Sequence, residues 1–369
     1  MSIKDSVTDR MDARVLMIVL FVAIIEFEVF VIPKSTVAIA GQDAWLAVLL
    51  GAALVMINTF FLIKLAARFP RENFFEFSAK VWGKPLSLII IAGYLAYWFI
   101  FLAFLLEDFN VVNETFFVRE INPAISVILM ILGAAWVVFY GFPAVVRLLQ
   151  MMFPFILLPL IFVVIFQIFH IRIESFQPVL ANGLLPVLKG AVLFAGLWQG
   201  IEVILFINPF LNNPRQTLKP ALAGIGLLAL GALTQTVNTV GILDIEHIQV
   251  TIWPGVDAMS AIEFPGFPVE RFELFLTLPW LVAIFTTLSV FLYLFSFGLV
   301  ELLQIKYRKL LVLFSAAVAT GAALLFPNYA AKIQLFEAFG IITIIFTLLI
   351  PLLTLLLAII RSKEGKVIE

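Results

Sequence analysis

Ten stretches of this 369-residue chain are apolar over a length that can cross a lipid bilayer. A bilayer-spanning helix needs roughly 20 mostly apolar residues. Because lipid offers the backbone no hydrogen-bond partners, such stretches fold as helices that satisfy their own peptide groups. The sequence therefore predicts an all-α polytopic membrane protein with a single transmembrane domain over residues 1–369. The candidate spans are 13–41, 43–67, 86–107, 123–141, 144–169, 183–210, 218–242, 274–303, 309–326 and 335–360.

Composition narrows the function classes. The chain is 63% hydrophobic and 13% charged, whereas a soluble domain is about half apolar and about a quarter charged. A net charge of −1 gives no reason to expect nucleic acid as a partner, and the absence of cysteine excludes disulfides and thiolate metal sites. The sequence contains no HExxH, P-loop or GxSxG motif. We therefore expect neither an enzyme, nor a metal site, nor a cofactor.

The distribution of basic residues predicts the orientation in the membrane. With a cytoplasmic N-terminus, most Lys and Arg fall at cytoplasmic ends of the spans, as the positive-inside rule requires. An even number of spans then places both termini in the cytoplasm. The longest outer loop, about 243–273, is acidic and too polar to span, so we expect it along the outer surface. The basic residues predicted outside are Lys34, Arg119, Arg172, Lys189, Arg271 and Lys332.

Ten spans divide into two sets of five. Because five is odd, the second set starts on the opposite side of the membrane from the first, so the two halves would be inverted repeats. The halves would cover about 13–170 and about 183–360. The first and sixth spans, which lead the two halves, are both interrupted by polar residues and proline. In secondary transporters, two broken helices at corresponding positions form a binding site at the bilayer midplane. The hydropathy pattern therefore predicts a 5+5 inverted repeat with broken helices 1 and 6.

The first span carries two carboxylates, Glu26 and Glu28, at membrane depth. Each costs roughly 2.5–3.5 kcal/mol when ionised at a helix centre, so we expect at least one to face protein or water or to be protonated in place. Pro33 lacks an N–H and pushes Ile32 away from helical geometry, which predicts a break near 29–33. The glutamates are candidate ligand or proton groups. The alternative is that they are structural and that Pro33 only kinks the helix.

The sixth span places polar residues and glycines at its centre. Gly196 and Gly200 are four residues apart, and Gln199 and Glu202 interrupt the apolar run, which predicts an unwound segment near 196–202. The alternative for the two glycines is close helix packing. Three aromatic residues are candidates to shape a pocket here: Tyr94, Tyr97 and Phe206.

The eighth span offers hydroxyl groups as candidate cation contacts. Thr286 and Ser289 lie three residues apart in an otherwise apolar run. Such hydroxyls either contact a cation or donate to carbonyl groups of their own helix. Both interpretations stay open on the sequence.

Four segments carry a family resemblance that runs over nearly the whole chain. They read IPKSTVAIAGQDAWLAVLLG, RFPRENFFEFSAKVWGKPL, GLWQGIEVILFINPFLNN and TIWPGVDAMSAIEFPGFPVERFE. In these segments the chain resembles the B subunit of spore germinant receptors, the GerAB-like endospore germination permeases of the amino acid/polyamine/organocation transporter superfamily. The resemblance implies a LeuT-type fold and a small germinant bound between the broken helices. It also implies an A subunit with a cytoplasmic domain, a lipoprotein C subunit, and the inner membrane of a bacterial spore.

The chain departs from the family pattern in its first span. Where the family usually carries glycines before the Ile-Pro pair, this chain has Glu28, Val29, Phe30 and Val31. The negative charge favours a cationic or amine-bearing germinant. Three hypotheses remain: a germinant-sensing subunit, a proton- or sodium-coupled amino-acid or amine transporter acting alone, and a structural subunit that binds no ligand.

Overall fold

The backbone of the computed structural model is almost entirely helical. It describes residues 11–117, 122–213, 216–262, 274–305, 308–326 and 329–365, with the backbone alone at 27–30, 123, 274–275, 329–334 and 337. The helices are α1 (Val15–Ala40), α2 (Ala44–Arg68), α3 (Phe74–Trp82), α4 (Lys84–Phe116), α5 (Pro123–Phe139), α6 (Phe142–Gln167), α7 (Leu184–Gly196), α8 (Ile204–Ile207), α9 (Leu218–Ile242), α10 (Ile245–Val250), α11 (Pro254–Ser260), α12 (Leu274–Leu303), α13 (Arg308–Ala323), α14 (Tyr329–Ile344) and α15 (Ile350–Ile360). A π-helical stretch, Ile345–Leu349, joins the last two.

Each predicted span coincides with one helix or one pair of helices. Within the described residues, six helices are long and apolar enough to cross a membrane, and the bent pair Leu184–Gly196 and Ile201–Phe210 raises the number to seven. Val15–Glu26, the first part of α1, and Ala124–Phe139, in α5, are shorter apolar segments. The helix order predicted from hydropathy is confirmed.

Helices α1 and α12 lie at the centre of the bundle. Most of the span in α12 is buried, and α1 packs against α6, α7, α9 and α12. Glycine allows the closest of these approaches. A Cβ placed on Gly224 of α9 would lie 2.6 Å from the carbonyl oxygen of Met17 in α1. The two backbones are therefore in contact, as at small-residue interfaces in membrane bundles.

We expect Gly224→Ala to destabilise the bundle. The added methyl group meets backbone atoms, so α1 and α9 must separate, at a cost of about 1–3 kcal/mol. Gly231→Ala in the same helix is the matched control, because a Cβ there has no atom within 4 Å. Thermal unfolding of the purified chain in detergent should show a lower Tm for Gly224→Ala only. Equal Tm values for the two variants would contradict this packing.

The short helix α3 was not anticipated, because it is too short and too polar for a hydropathy span. Its N-terminus is closed by a capping box, in which Asn73 accepts from Glu76 N and Glu76 accepts from Asn73 N. Phe74, Phe75 and Phe77 are buried. The Asn-Phe-Phe-Glu pattern is the local signal that predicts such a helix start.

The predicted interruption of the first span is wrong. Helix α1 runs without a gap from Val15 to Ala40, with Pro33 inside it. Proline removes one backbone donor, and neighbouring helices in a bundle can hold such a helix together. Just after the proline, Thr36 Oγ1 donates to the carbonyl oxygens of Ile32 (2.7 Å) and Pro33 (3.3 Å). Pro33 therefore lies within the helix rather than ending it.

The loop that the sequence predicts to lie outside folds onto the C-terminal end of α1. Helices α10 and α11 both pack against α1, and Lys34 Nζ donates to Thr251 O at 2.6 Å. His247 and Asp257 lie 3.3 Å apart on these two helices. The described part of the loop, up to residue 262, therefore covers the bundle instead of crossing it.

Candidate functional site

The sixth span is broken where the sequence predicts it. Helix α7 ends at Gly196, a turn follows, and the chain resumes at Ile201 with its axis bent by 47°. Gly200 has φ of +104°, a conformation that residues with a Cβ rarely adopt. A Cβ on Gly200 would also lie 3.2 Å from Ile24 Cγ1 and 3.3 Å from Ala23 O. The break therefore packs directly on α1, as expected for a site that the first and sixth spans form together.

Glu202 holds the broken segment together. Its Oε2 accepts from Gly200 N at 2.9 Å, and its Oε1 accepts from Trp98 Nε1 of α4 at 3.1 Å. The side chain is fully buried. Both oxygens thus have a donor, which is what a polar group needs at membrane depth. A carboxylate has further lone pairs, so it can also accept from an amine.

Gln199 ties the break to the last span. Its Nε2 donates to Thr343 Oγ1 at 3.2 Å, and that hydroxyl donates to Phe339 O at 3.1 Å. Gly196, the last residue of α7, packs against the same helix, α14, since a Cβ added to it would be 3.1 Å from Gly340 O. Gly196 therefore serves close helix packing, and Gly200 lies in the helix break, so both interpretations of the two glycines hold.

Aromatic rings enclose the carboxylate. The ring of Phe206 lies 4.8 Å from that of Trp98 and 5.5 Å from that of Tyr94, and it also contacts the rings of Phe74 and Phe75 from α3. These five rings form one contiguous aromatic cluster, and its Trp98 bonds the carboxylate. The predicted residues Tyr94, Phe206 and Glu202 are thus brought together, and the structure adds Trp98 to them.

The π-helical stretch supplies a partner that sequence reasoning missed. Tyr94 OH donates to Phe346 O at 2.6 Å, and the ring of Tyr97 stacks between Phe339 and Phe346 at 5.1 Å from each. A π-helix leaves its carbonyl groups in an unusual register and often occurs at functional sites. Nothing in the apolar run IITIIFTLLIP predicts it.

Of the candidate ligand-binding residues in α1, Glu26 lies near the sixth-span break and Ile32 lies far from it. Glu26 is buried, with 1% of its surface exposed, so it faces protein rather than lipid. It is one turn from Ala23, which contacts Gly200. Ile32 is also buried, but it is eight residues beyond Ile24, about 12 Å along the helix axis. The Glu28 side chain lies outside the described residues.

The eighth-span hydroxyls bond within their own helix. Thr286 Oγ1 donates to Val282 O (3.1 Å) and Ala283 O (2.8 Å), and Ser289 Oγ donates to Phe285 O (2.8 Å). Thr287 instead donates to Val22 O of α1 at 3.2 Å. A cation contact at Thr286 and Ser289 stays a prediction. Among the described residues, no group of three or more His, Asp or Glu is placed to hold a metal ion.

Comparison with known proteins decides the family. Residues 10–328 match the spore permease family, described as "Spore germination protein". The chain belongs to the spore permease family. Spore germination protein YndE of Bacillus subtilis (strain 168) is 28% identical over 285 residues, which are 75% of this chain and 77% of that protein. Spore germination protein B2 of the same organism is 21% identical over 342 residues, 92% of each chain.

Solved structures show that this spore permease has a LeuT-type transporter fold. MhsT in complex with L-phenylalanine superposes with a TM-score of 0.68 at 13% identity, covering 94% of this chain and 98% of MhsT. Mhp1, a nucleobase-cation-symport-1 family transporter with bromovinylhydantoin bound, superposes with a TM-score of 0.63 at 17% identity, covering 92% and 78%. The family resemblance and the fold class are confirmed, and the family is not a class of enzymes.

Proposed function

We propose that this spore permease is the membrane subunit of a spore germinant receptor. A small nutrient, an amino acid or an amine, would bind against the sixth-span break in the inner membrane of a spore, with both termini of the chain cytoplasmic. An A subunit with a cytoplasmic domain and a lipoprotein C subunit would receive the signal. The family membership supports the setting, and the break at Gly200 and Glu202 supports the site.

One observation carries the proposal: a fully buried carboxylate, Glu202, stands in the short 3-10 turn Ile201–Val203 that follows the break, bonded to Trp98 of an aromatic cluster. Burying a carboxylate in a membrane costs several kcal/mol, so such groups mark ligand or ion sites. The charge would attract the ammonium group of a germinant. Glu26, buried one turn from the contact with the break, is the second candidate for this role.

Signal transmission would pass through the contacts that leave the break. Gln199 reaches α14, and Tyr94 reaches the π-helical stretch. A germinant that binds one arrangement of these contacts more tightly than another shifts the population between them. The two halves, about 13–170 and 183–360, would move relative to each other as inverted repeats.

A ligand screen tests the site. We expect one or a few amino acids or nucleosides to raise the Tm of the purified chain, because a ligand at 100 times its Kd stabilises the folded state by about 2.7 kcal/mol. Spores that retain this receptor alone should germinate with the same compounds. Substrate-dependent uptake into proteoliposomes by the chain alone would instead favour the coupled transporter, whose fold the chain shares.

Trp98→Phe should weaken the response to such a compound. The variant keeps an aromatic ring but removes the Nε1–H that Glu202 accepts. A hydrogen bond to a charged group contributes about 1.5–3 kcal/mol, so we expect the germinant concentration for half-maximal germination to rise about tenfold. Trp82→Phe is the control, because it also removes a tryptophan hydrogen bond, the one from Trp82 Nε1 to Thr354 Oγ1 of α15. An unchanged dose response in Trp98→Phe would remove Trp98 from the site.

A further inference from the structure

A cavity lies at the end of the bundle that carries the N-terminal segment, apart from Glu202 and the break itself. It has a volume of about 180 Å³ and lies between the α5–α6 turn, the end of α12 and the start of α13. A single buried water needs only roughly 10–15 Å³ of such space, so the cavity has room for a larger group. Positive-inside reasoning puts this end at the cytoplasmic face.

Two cations line this cavity. The Arg308 guanidinium stands 5.9 Å above the ring of Phe297, and Lys309 Nζ lies 5.8 Å from the ring centre of Phe139. Glu301 is close enough to Arg308 to offset part of this charge, and the Tyr293 hydroxyl faces the same guanidinium. Glu301, which also lies near Glu76, is not among the residues that line the cavity, and Arg308 and Lys309 are the charged residues in that lining. Arg and Lys at the start of a helix are suited to binding a phosphate group.

The surroundings of the cavity face lipid. On α5, Trp136 and Tyr140 are 63% and 67% exposed, and their rings pack 5.8 Å apart. Exposed Trp and Tyr at a helix end mark the headgroup level of a bilayer. Along α13, Leu310 and Phe314 are exposed apolar residues directly beyond the two cations. The site thus combines a positively charged cavity at headgroup depth with an apolar face for acyl chains.

We propose that this cavity binds the phosphate headgroup of an anionic phospholipid from the cytoplasmic leaflet. Basic pockets between transmembrane helices on the cytoplasmic side bind acidic headgroups in this way. The inner wall of the cavity leads to the broken span. Phe142 lies 5.0 Å from the rings of both Tyr293 and Phe210, and Phe210 ends the segment that follows the break. A bound lipid braces that segment.

Native mass spectrometry of the full chain in detergent tests the proposal. We expect retention of phosphatidylglycerol over phosphatidylcholine, and about tenfold weaker retention in the double variant Arg308→Gln, Lys309→Gln, since each basic residue contributes on the order of a few-fold to several-fold binding. The matched control is Lys84→Gln, Lys219→Gln, which removes two exposed cations at the same end of the bundle outside the cavity. This control should retain phosphatidylglycerol as the unmodified chain does.

A second variant keeps the proposal testable if the double variant fails to fold. Val300→Trp fills the cavity but leaves both cations in place, and it should lose the preference for phosphatidylglycerol. If Val300→Trp retains phosphatidylglycerol as strongly as the unmodified chain does, the proposal is overturned. So would equal loss in the control pair, which would indicate general surface charge. Displacement of the lipid by millimolar inorganic phosphate would assign the cavity to a free anion and overturn the lipid assignment.

Discussion

Spores whose receptor carries Glu202→Gln are expected to lose nutrient-triggered germination. Two donors, Gly200 N and Trp98 Nε1, face the two carboxylate oxygens. Glutamine offers one oxygen only, so one buried donor stays unpaired at a cost of about 1–3 kcal/mol, and the charge that would attract an amine is gone. Germination rate against germinant concentration, with the receptor level in spore membranes measured in parallel, should show at least a tenfold loss of sensitivity.

Asp43→Asn is the matched control for this experiment. Asp43 is also a buried carboxylate that accepts from a backbone amide, Leu180 N, with oxygen distances of 3.0 and 3.1 Å. It lies just beyond α1, at the opposite end of the bundle from the cations of the lipid cavity. We expect its variant to germinate nearly as the unmodified receptor does. If Glu202→Gln spores with a normal receptor level respond normally, the break is not the germinant site.

Gly200→Ala should be the most destabilising single methyl addition at the site. At φ of +104° an L-residue is strained by about 1–3 kcal/mol, and its Cβ would press on Ile24, Ala23 and Phe291 at 3.2–3.4 Å. We expect a combined loss of about 2–4 kcal/mol and a Tm lower by about 5 °C or more. Ligand-induced stabilisation should fall as well, because the segment that carries Glu202 is displaced.

Gly183→Ala separates strain from packing. Gly183 also has a positive φ, +76°, but a Cβ there meets no atom within 4 Å. Its variant should therefore lose about 1–3 kcal/mol from strain alone. Similar Tm losses in the two variants would show that the contact between the break and α1 contributes little to stability.

The position of the break in the sixth span was predictable, whereas its contacts were not. Glycines and polar residues within an apolar run weaken a helix locally, and this local signal located the break at 196–202. The partners of Gln199 and Glu202 are 144 and 104 residues away in sequence. Side-chain pairs at such separations depend on how distant helices pack, for which a single sequence contains no periodic signal.

The first span shows the opposite outcome. Proline and two glutamates predicted a break, yet α1 stays continuous and Glu26 is buried. Local propensity is a weak guide where neighbouring helices surround a segment, because their packing stabilises the helix against one lost hydrogen bond. The sequence correctly predicted that a carboxylate of the first span faces protein, but it wrongly predicted that the helix is broken there.

The sequence by itself determined that this protein is a bundle of apolar helices, the order of those helices and the family to which the chain belongs. Insertion into a bilayer depends on the sum of transfer free energies over about 20 consecutive residues, a property that any segment carries alone. Only the tertiary structure decided that Trp98 pairs with Glu202, that Tyr94 reaches the π-helical stretch, and that α1 passes through Pro33 unbroken. These features depend on packing between helices, since lipid leaves buried polar groups no partner except one another.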